Sequence, residues 1–324
     1  MNLTVSTSPH IRGKHTPGKI MLDVIIALLP ALAVGIYRFG PRAAVLTAVS
    51  VLAAVAAEAL LCLITRKSLT VLDGSAVVTG LLLAMVLPAS APYWLAGVGS
   101  AFAVVVVKGL CGGLGQNVLN PALTARALLL LVSPAWLTRY GAPGASLPLA
   151  NIQPSDVVTS ATPLHQMQMP NKLPDASFTD LLLGNCGGTI GEVCTLALLL
   201  GGVYLIFRRV ISYRIPVAYL GSVAVLSLIF HQGGDPLQWM LYNLLSGGVV
   251  LGAFFMATDY ATSPVSGRAQ WVYGVGCGVL TVVFRRFGLF PEGVTYAILL
   301  MNAATWALDR WLPPRRFGGK EAAK

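Results

Sequence analysis

Long apolar stretches separated by short polar turns run along most of this chain. They fall at 20–37, 43–64, 71–87, 94–110 and 119–136, and after a polar interval at 189–207, 216–230, 237–257, 271–284 and 294–311. A helix needs about 20 predominantly apolar residues to cross a bilayer, and fewer where it is half-broken. Inside lipid only helices and closed barrels satisfy their own backbone groups. The runs are continuous rather than alternating, which excludes a barrel and predicts helices. The expected fold is an all-α polytopic membrane protein with about ten transmembrane helices. The fifth run is the least regular, because Pro121, Arg126 and Pro134 fall inside it.

The order of features repeats. Gly80 to Pro88 closes the third run and Gly252 to Tyr260 closes the eighth, each at a polar or Pro-bearing turn, and each is followed by a Gly-rich apolar run. Asn120 opens the fifth run and Asn302 sits in the tenth. Five runs per unit is an odd number, so the second unit is expected to be inverted in the membrane. The organisation read from this is two inverted five-helix repeats at 20–136 and 189–311, a loop at 137–188, and terminal segments 1–19 and 312–324. Inverted repeats place ligand sites at their interface, beside broken helices. Close packing through small residues alone gives similar composition and order.

Composition strengthens the membrane reading. The chain is 56% hydrophobic and 10% charged, against about 25% charged in soluble domains. Its net charge of +10 would point to nucleic acid in a soluble protein, but no basic module stands apart from the apolar runs, and no nucleic-acid partner is expected. Cationic residues gather in loops that remain cytoplasmic. Arg12, Lys14, Lys19, Arg66, Lys67, Arg208, Arg209, Arg214 and the C-terminal Arg315, Arg316 and Lys320 put both termini inside, with the 137–188 loop extracytoplasmic. The first apolar run is long enough to span rather than be removed as a leader. The cysteines, Cys62, Cys111, Cys186, Cys194 and Cys277, form no C-x-x-C pair, so neither a zinc site nor an iron–sulfur cluster of this chain alone is expected. A disulfide between Cys186 and Cys194 is left open.

Three places carry candidate chemistry. The first is the polar stretch 156–164, with Asp156, Thr159, Ser160, Ala161, Thr162 and Pro163. A threonine hydroxyl is a weak nucleophile without an activating base, and only His165 is near in sequence. A hydroxyl esterified by another enzyme instead needs exposure, an extended backbone and small neighbours. Ser160 and Ala161 are small, and Pro163 biases the preceding residues toward extended backbone. The bland reading is a loop with Ser/Thr turn chemistry. The second place is Gly112, Gly113 and Gly115 followed by Asn117 and Asn120. Glycine admits close approach of a planar ligand, and amides both donate and accept; close helix packing is the alternative. The Gly-Lys-Ser/Thr ending of a phosphate loop is absent. The third is Asp259, since a carboxylate at membrane depth is costly and functional by default; its alternative is a helix-end carboxylate paired with Arg268. Asp73 reads as an anion at a helix N-terminus; Asp23 and Glu58 stay open, with ordinary ion pairs near the inner face the favoured reading.

The stretch 156–162 resembles the pattern D-x-x-[S/T]-[S/G]-A-T at which a flavin transferase attaches FMN. Ser8-Pro9-His10-Ile11-Arg12, the run from Gly112 to Leu123 (GGLGQNVLNPAL), Phe254-Phe255-Met256-Ala257-Thr258-Asp259 and Pro291-Glu292-Gly293 resemble the family that joins the D subunit of the Rnf electron transport complex to the B subunit of the sodium-pumping NADH:quinone reductase. The likeness runs over about 8–311, and the short N-terminus favours the Rnf branch. The resemblance implies FMN bound through its phosphate to Thr162, with Asp156, Ser160 and Ala161 completing the motif. It implies a second, noncovalent flavin, riboflavin, within the bundle. Gly112, Gly113, Asn117 and Asn120 are the candidate contacts to the isoalloxazine edge, Arg126 the candidate stabiliser of its reduced form, and Phe254 and Phe255 the candidate stacking partners. Thr159-Ser160 stand where Ser-Gly is common.

The implied enzyme is a complex that moves electrons between ferredoxin and NAD⁺ and couples them to Na⁺ or H⁺ movement, with Asp259 as the ion-coupling candidate. This subunit would have no catalytic residue or metal of its own and would lie in the bacterial inner membrane. Its partners would be two membrane iron–sulfur subunits, a second covalent-FMN subunit, ferredoxin- and NADH-binding subunits, a flavin transferase and membrane lipid. The alternatives are a B-subunit-like component of the sodium-pumping NADH:quinone reductase, or a urea-channel-like transport protein without redox function, since an inverted five-helix repeat is also a pore architecture.

Overall fold

Proline marks where many of the helices begin. It lacks the N–H that a first helical turn leaves unpaired, and its φ is already helical. Pro17, Pro41, Pro121, Pro134, Pro163 and Pro236 each stand in a first helical turn. The computed structural model describes residues 16–66, 73–109, 117–144, 148–149, 161–168, 173–232, 235–288 and 292–313. The first group of helices is α1 (Pro17–Phe39), α2 (Pro41–Thr65), α3 (Ser75–Met85), α4 (Tyr93–Phe102, continuing as a π-helical segment Ala103–Gly109), α5 (Pro121–Val132) and α6 (Pro134–Leu137). Short helices α7 (Pro163–Met167) and α8 (Phe178–Leu183) follow. The last group is α9 (Thr195–Phe207), α10 (Arg214–Ile229), α11 (Pro236–Leu245), α12 (Val249–Leu251, running into a π-helical segment Gly252–Met256), α13 (Gly267–Phe287) and α14 (Val294–Trp311). Every apolar run of the sequence contains one of these helices.

Two helices, α1 with 23 residues and α2 with 25, are long and apolar enough to cross a membrane. The pair α11 and α12 with its π segment reaches that length together, bent by 60°. The helices α3, α4, α5, α9 and α10 are apolar but shorter. Leu52, Leu60, Leu63, Leu131, Leu200, Phe207 and Val225 point outward. An outer face of this kind on a charge-poor, all-helical chain is the face of a membrane protein.

Three boundaries depart from the hydropathy pattern. In the fifth run Pro121 opens α5 rather than interrupting it, and the Asn120 side chain caps the start by accepting from the N–H of Ala122 (3.1 Å) and of Leu123 (3.3 Å). The chain then turns at Ser133, and Pro134 opens α6. In the eighth run the helix breaks between Leu245 and Val249, where Gly247 takes φ +63°, a conformation that favours glycine. In the sixth run, residues 189–194 are not helical. The N–H of Ile190 donates to Leu87 O (3.1 Å) and that of Gly191 to Met85 O (2.8 Å), so this segment is bonded to the end of α3 and α9 begins only at Thr195. A Cβ on Gly191 would stand 2.5 Å from Met85 Cβ, so the contact requires glycine. Cys186 and Cys194 are both free thiols in this structure; Cys194 Sγ donates to Leu182 O (3.2 Å).

Within the bundle α2 packs on α3 and α4, α10 on α11 and α13, and α1 on α9, while α5 touches α3, α4 and α14. Asp23 near the start of α1 pairs with Arg208 just past the end of α9 at 3.2 Å, as expected of an ordinary ion pair. Arg38 in the last turn of α1 reaches Asn185 Oδ1 at 3.3 Å. Thus α1 and α9 run antiparallel, with the segment before α9 at the C-terminal end of α1. Arg42, fully buried, donates to Ala89 O (3.0 Å), Ala91 O (3.1 Å) and Pro148 O (2.9 Å), fastening the turn after α3 onto α2. Asp73 Oδ1 accepts from the N–H (3.0 Å) and hydroxyl (2.7 Å) of Ser75 at the start of α3. The motif positions Asp156 and Ser160, the glycines Gly112 and Gly113, Cys111, Ser8 to Arg12 and the C-terminal cluster lie outside the described residues.

Candidate functional site

Two cavities collect most of the described candidate residues. The outer one, of about 20 Å³, is lined by Thr162 with Gly187, Gly188, Glu192, Ser246, Gly247 and Glu292 among others. Pro163 forces the extended backbone expected of Thr162, φ −66° and ψ 149°. Thr162 then caps α7, its Oγ1 accepting from His165 N at 3.2 Å. The exposure expected of it is not found: Thr162 is 7% exposed, while Ala161 beside it is exposed. Capping draws the side chain inward over the helix it starts.

The chemistry around Thr162 includes residues that nothing in their sequence positions brings together. Arg126 Nη1 lies 3.6 Å from Glu192 Oε1, and its Nη2 donates to Glu292 Oε2. Glu292 Oε1 accepts from Tyr140 Oη at 3.0 Å. Burial pushes the Tyr140 phenol above the usual tyrosine range. The broken helix makes room for this cluster, since a Cβ on Gly248 would meet Glu192 Oε1 at 2.5 Å. Cys186 also lines the cavity, and burial pushes its thiol up to about 12, so it stays protonated near neutral pH and is a poor nucleophile.

The inner cavity, of about 90 Å³, is lined by Asn117, Asn120, Ser75, Lys108, Phe254, Phe255, Thr258 and Asp259 among others. Here the second and third candidate places meet. Asn120 Nδ2 donates to Met256 O (3.3 Å), which ties the cap of α5 to the π-helical segment after α12. Asn117 Oδ1 is buried and has no hydrogen-bond partner among the described residues. Thr262 donates to Asp259 Oδ2 at 3.4 Å, and no ion pair joins Asp259 to Arg268 among the described residues. Lys108, in the π-helical segment after α4, donates to Glu58 Oε1 (2.5 Å) and Ser75 Oγ (2.6 Å). Glu58 is thus an ion pair as expected, but one inside the bundle. The sequence signal for Lys108, Glu58 and Glu192 was present: each is a charge within an apolar run.

Arg126 is the site residue that changes group. It was expected with Asn117 and Asn120, yet it does not line their cavity. At about 100° and 1.5 Å per residue, the step from Asn120 to Arg126 turns roughly 240° and climbs roughly 9 Å along α5. One helix therefore serves both places: its start lines the inner cavity, and Arg126 in its second turn pairs with Glu192 and Glu292, which line the outer one. The broken helix does the same, with Ser246 and Gly247 on the outer cavity and Phe254 and Phe255 on the inner.

Comparison with known proteins places this arrangement in a lineage. A family model described as "NQR2, RnfD, RnfE family" matches residues 4–318. The chain is 49% identical over 320 residues, covering 98% of itself and 96% of the relative, to the D subunit of the Na(+)-translocating ferredoxin:NAD(+) oxidoreductase complex of Acetobacterium woodii. It is 39% identical to the D subunit of the proton-translocating ferredoxin:NAD(+) oxidoreductase complex of Clostridium ljungdahlii, over 97% of this chain and 96% of that one. It is 40% identical to the D subunit of the ion-translocating oxidoreductase complex of Stutzerimonas stutzeri, over 94% and 93%.

Proposed function

Because the chain belongs to the NQR2, RnfD, RnfE family, we propose that it is the flavin-carrying membrane subunit of an ion-translocating ferredoxin:NAD⁺ oxidoreductase of the Rnf type. The names of its relatives support the complex, and they favour the Rnf branch over the sodium-pumping NADH:quinone reductase. The observation that carries the reading is a pair of cavities, one holding Thr162 and the other a buried Asn117 amide oxygen without a partner among the described residues, linked by α5, which lines the second and through Arg126 pairs with the carboxylates of the first. Flavins supply one- and two-electron transfer when bound, while the protein supplies position and electrostatics.

Thr162 suits an ester. Among the described residues its Oγ1 acts only as an acceptor, from His165 N. Replacing the hydroxyl hydrogen by a phosphoryl group leaves that acceptor in place, so the cap of α7 survives attachment. Because Thr162 is buried, a transferase would reach it while α7 is unpacked, before folding is complete or on local opening. In the inner cavity the lining fits a flavin edge: Asn117 offers a buried amide oxygen without a partner among the described residues, Asn120 the second N–H of an Nδ2 that already holds Met256 O, and Phe254 and Phe255 apolar walls. Its volume is below the roughly 300–1,000 Å³ of ordinary ligand sites, so a tricyclic ring requires these side chains to move outward. Asp259 and Lys108, the latter paired with Glu58, line the same cavity, and the Asp259 carboxylate would compensate the charge of an entering cation.

The packing of α2 on α3 and α4, of α10 on α11 and α13, and of α1 on α9 supports the two inverted five-helix units, with cofactor sites at their interface. In this reading the termini are cytoplasmic, Thr162 is extracytoplasmic, and the remaining Rnf subunits deliver and remove electrons in the bacterial inner membrane. A flavin transferase is needed for maturation. Relatives are named for both Na⁺ and protons, so the family alone does not select the ion.

The decisive measurement is ultraviolet-excited fluorescence of the chain on a denaturing gel, after synthesis alongside its flavin transferase. The wild-type band should fluoresce, and Thr162→Ala should be dark at equal protein level. A dark wild-type band overturns the covalent attachment. For Asp259, ion uptake by reconstituted complex should fall at least tenfold in Asp259→Ala while electron transfer persists; unchanged uptake removes Asp259 from the coupling.

A further inference from the structure

Beside the Thr162 cavity lies a larger one, of about 280 Å³, that the proposed function does not use. It opens between the end of α10, α11, the end of α13 and α7. Its polar lining is Arg285, Arg286, Ser227, Asn243, Gln168 and Gln232, each with at least one donor, and no carboxylate is among its lining residues.

Arg285 sits in the last turn of α13 and is 8% exposed. Its Nη1 donates to Asn243 O (2.5 Å) and Oδ1 (3.3 Å), and its Nη2 to Ser246 O (2.9 Å). These carbonyls close α11, whose negative dipole end favours a cation, so two of the three guanidinium nitrogens brace the helix break. The third, Nε, is buried without a partner among the described residues, and so is Ser227 Oγ at 1% exposure. No salt bridge reaches Arg285 among the described residues. Glu192 acts on it electrostatically, but that carboxylate is engaged by Arg126. A buried guanidinium without a counter-anion is costly, and unpaired buried donors add to the cost.

We propose that this cavity is an anion site for a phosphate group, with Arg285 and Ser227 as its inner donors and Arg286, which is exposed, at its mouth. Guanidinium nitrogens match the geometry of phosphate oxygens, and the amides of Gln168 and Gln232 add donors. Two sources carry that chemistry. One is the headgroup of an anionic phospholipid, since the cavity lies where the apolar bundle ends. The other, which rests on the reading of Thr162, is the phosphoryl group attached there, since Leu164 lines both cavities.

The test uses the purified complex in neutral detergent. Thermal unfolding is followed in chloride and in inorganic phosphate at equal ionic strength, and in phosphatidylcholine nanodiscs with and without phosphatidylglycerol. Arg286→Gln and Ser227→Ala leave the Arg285 brace intact, and Thr162→Ala removes the attachment point. Binding stabilises by mass action, so phosphate or phosphatidylglycerol should raise the unfolding temperature by a few degrees, and both cavity variants should lose the rise. A rise with phosphatidylglycerol in wild type and in Thr162→Ala alike assigns the lipid source. A rise with inorganic phosphate only in Thr162→Ala assigns the phosphoryl group on Thr162. No anion response in either protein, or an undiminished response in both cavity variants, overturns the site. A non-fluorescent wild-type chain that still responds to phosphate separates failure of the flavin reading from failure of this one.

Discussion

Arg126 holds two carboxylates, and its removal strands both. Glu192 and Glu292 come from segments far apart in the chain and meet only at this guanidinium. Breaking a buried ion pair by deleting one partner costs about 3–5 kcal/mol, because the other charge stays buried. Arg126→Gln should therefore lower the unfolding temperature of the purified complex sharply. Glu292→Gln should lower it less, because Arg126 keeps Glu192 and Gln still accepts from Tyr140. Equal losses in the two variants would mean that the cluster is not held by its cation. The apolar setting of Glu192 was legible in the sequence, but its partner was not, since sequence separation carries no information about which buried charges meet.

At the scale of elements, local chemistry decides the ends of helices and tertiary bonds decide where they are cut short. The start of α8 is local. Ser177 Oγ donates to Asp180 Oδ2 (2.7 Å), the N–H of Ser177 donates to the same oxygen (3.1 Å), and Asn185 Nδ2 donates to Asp180 Oδ1 (3.3 Å). The Ser177 hydroxyl, Asn185 and the Ser177 N–H hold the Asp180 carboxyl below the usual carboxylate range. The folded state therefore favours ionised Asp180, so the cap contributes fully above the ordinary aspartate range and weakens as pH falls through the lowered value. Amide exchange in α8, corrected for its intrinsic rate, should hold steady down to about pH 5 and accelerate below about pH 4. Asp180→Asn should abolish that acceleration, and a persisting pH step would assign it elsewhere. The start of α9 is tertiary. No residue between Thr189 and Cys194 forbids a helix, yet the bonds of Ile190 and Gly191 to Leu87 and Met85 hold the segment in another shape.

For the molecule as a whole, the apolar exterior is the governing fact. Leu52 lies near the middle of α2 and is 66% exposed, which in lipid is a satisfied position. A cation at the centre of a spanning helix costs about 2.5–3.5 kcal/mol of insertion. Leu52→Lys should thus reduce the membrane-integrated fraction in a carbonate-extraction assay. Leu52→Met should behave as wild type, and unimpaired integration of the Lys variant would place that face against protein or water instead of lipid. The interior is organised around two elements: the broken α11–α12 helix, which lines both cavities, and α5, which lines one and pairs through Arg126 with the carboxylates of the other. This arrangement keeps the two candidate sites on a common support, so that a shift of either element is felt at both.

Hydropathy period and scarcity of charge, properties that each segment carries by itself, determined the all-helical membrane class and the approximate place of a helix in each apolar run, though not the breaks or the short helices α7 and α8. The extended backbone at Thr162 and the capping power of Asn120 were likewise local. What only the tertiary structure decided was which groups share a space. The sequence grouped Arg126 with Asn117 and Asn120 by proximity along the chain, and the turn of α5 separated them. It left Asp259 and Asn117 as separate candidates, and the packing of the π-helical segment after α12 against the start of α5 brought them to one cavity. The exposure expected of Thr162 failed for the same reason, since burial is a property of neighbours contributed by residues more than twenty positions away, Glu192, Ser246 and Glu292 among them.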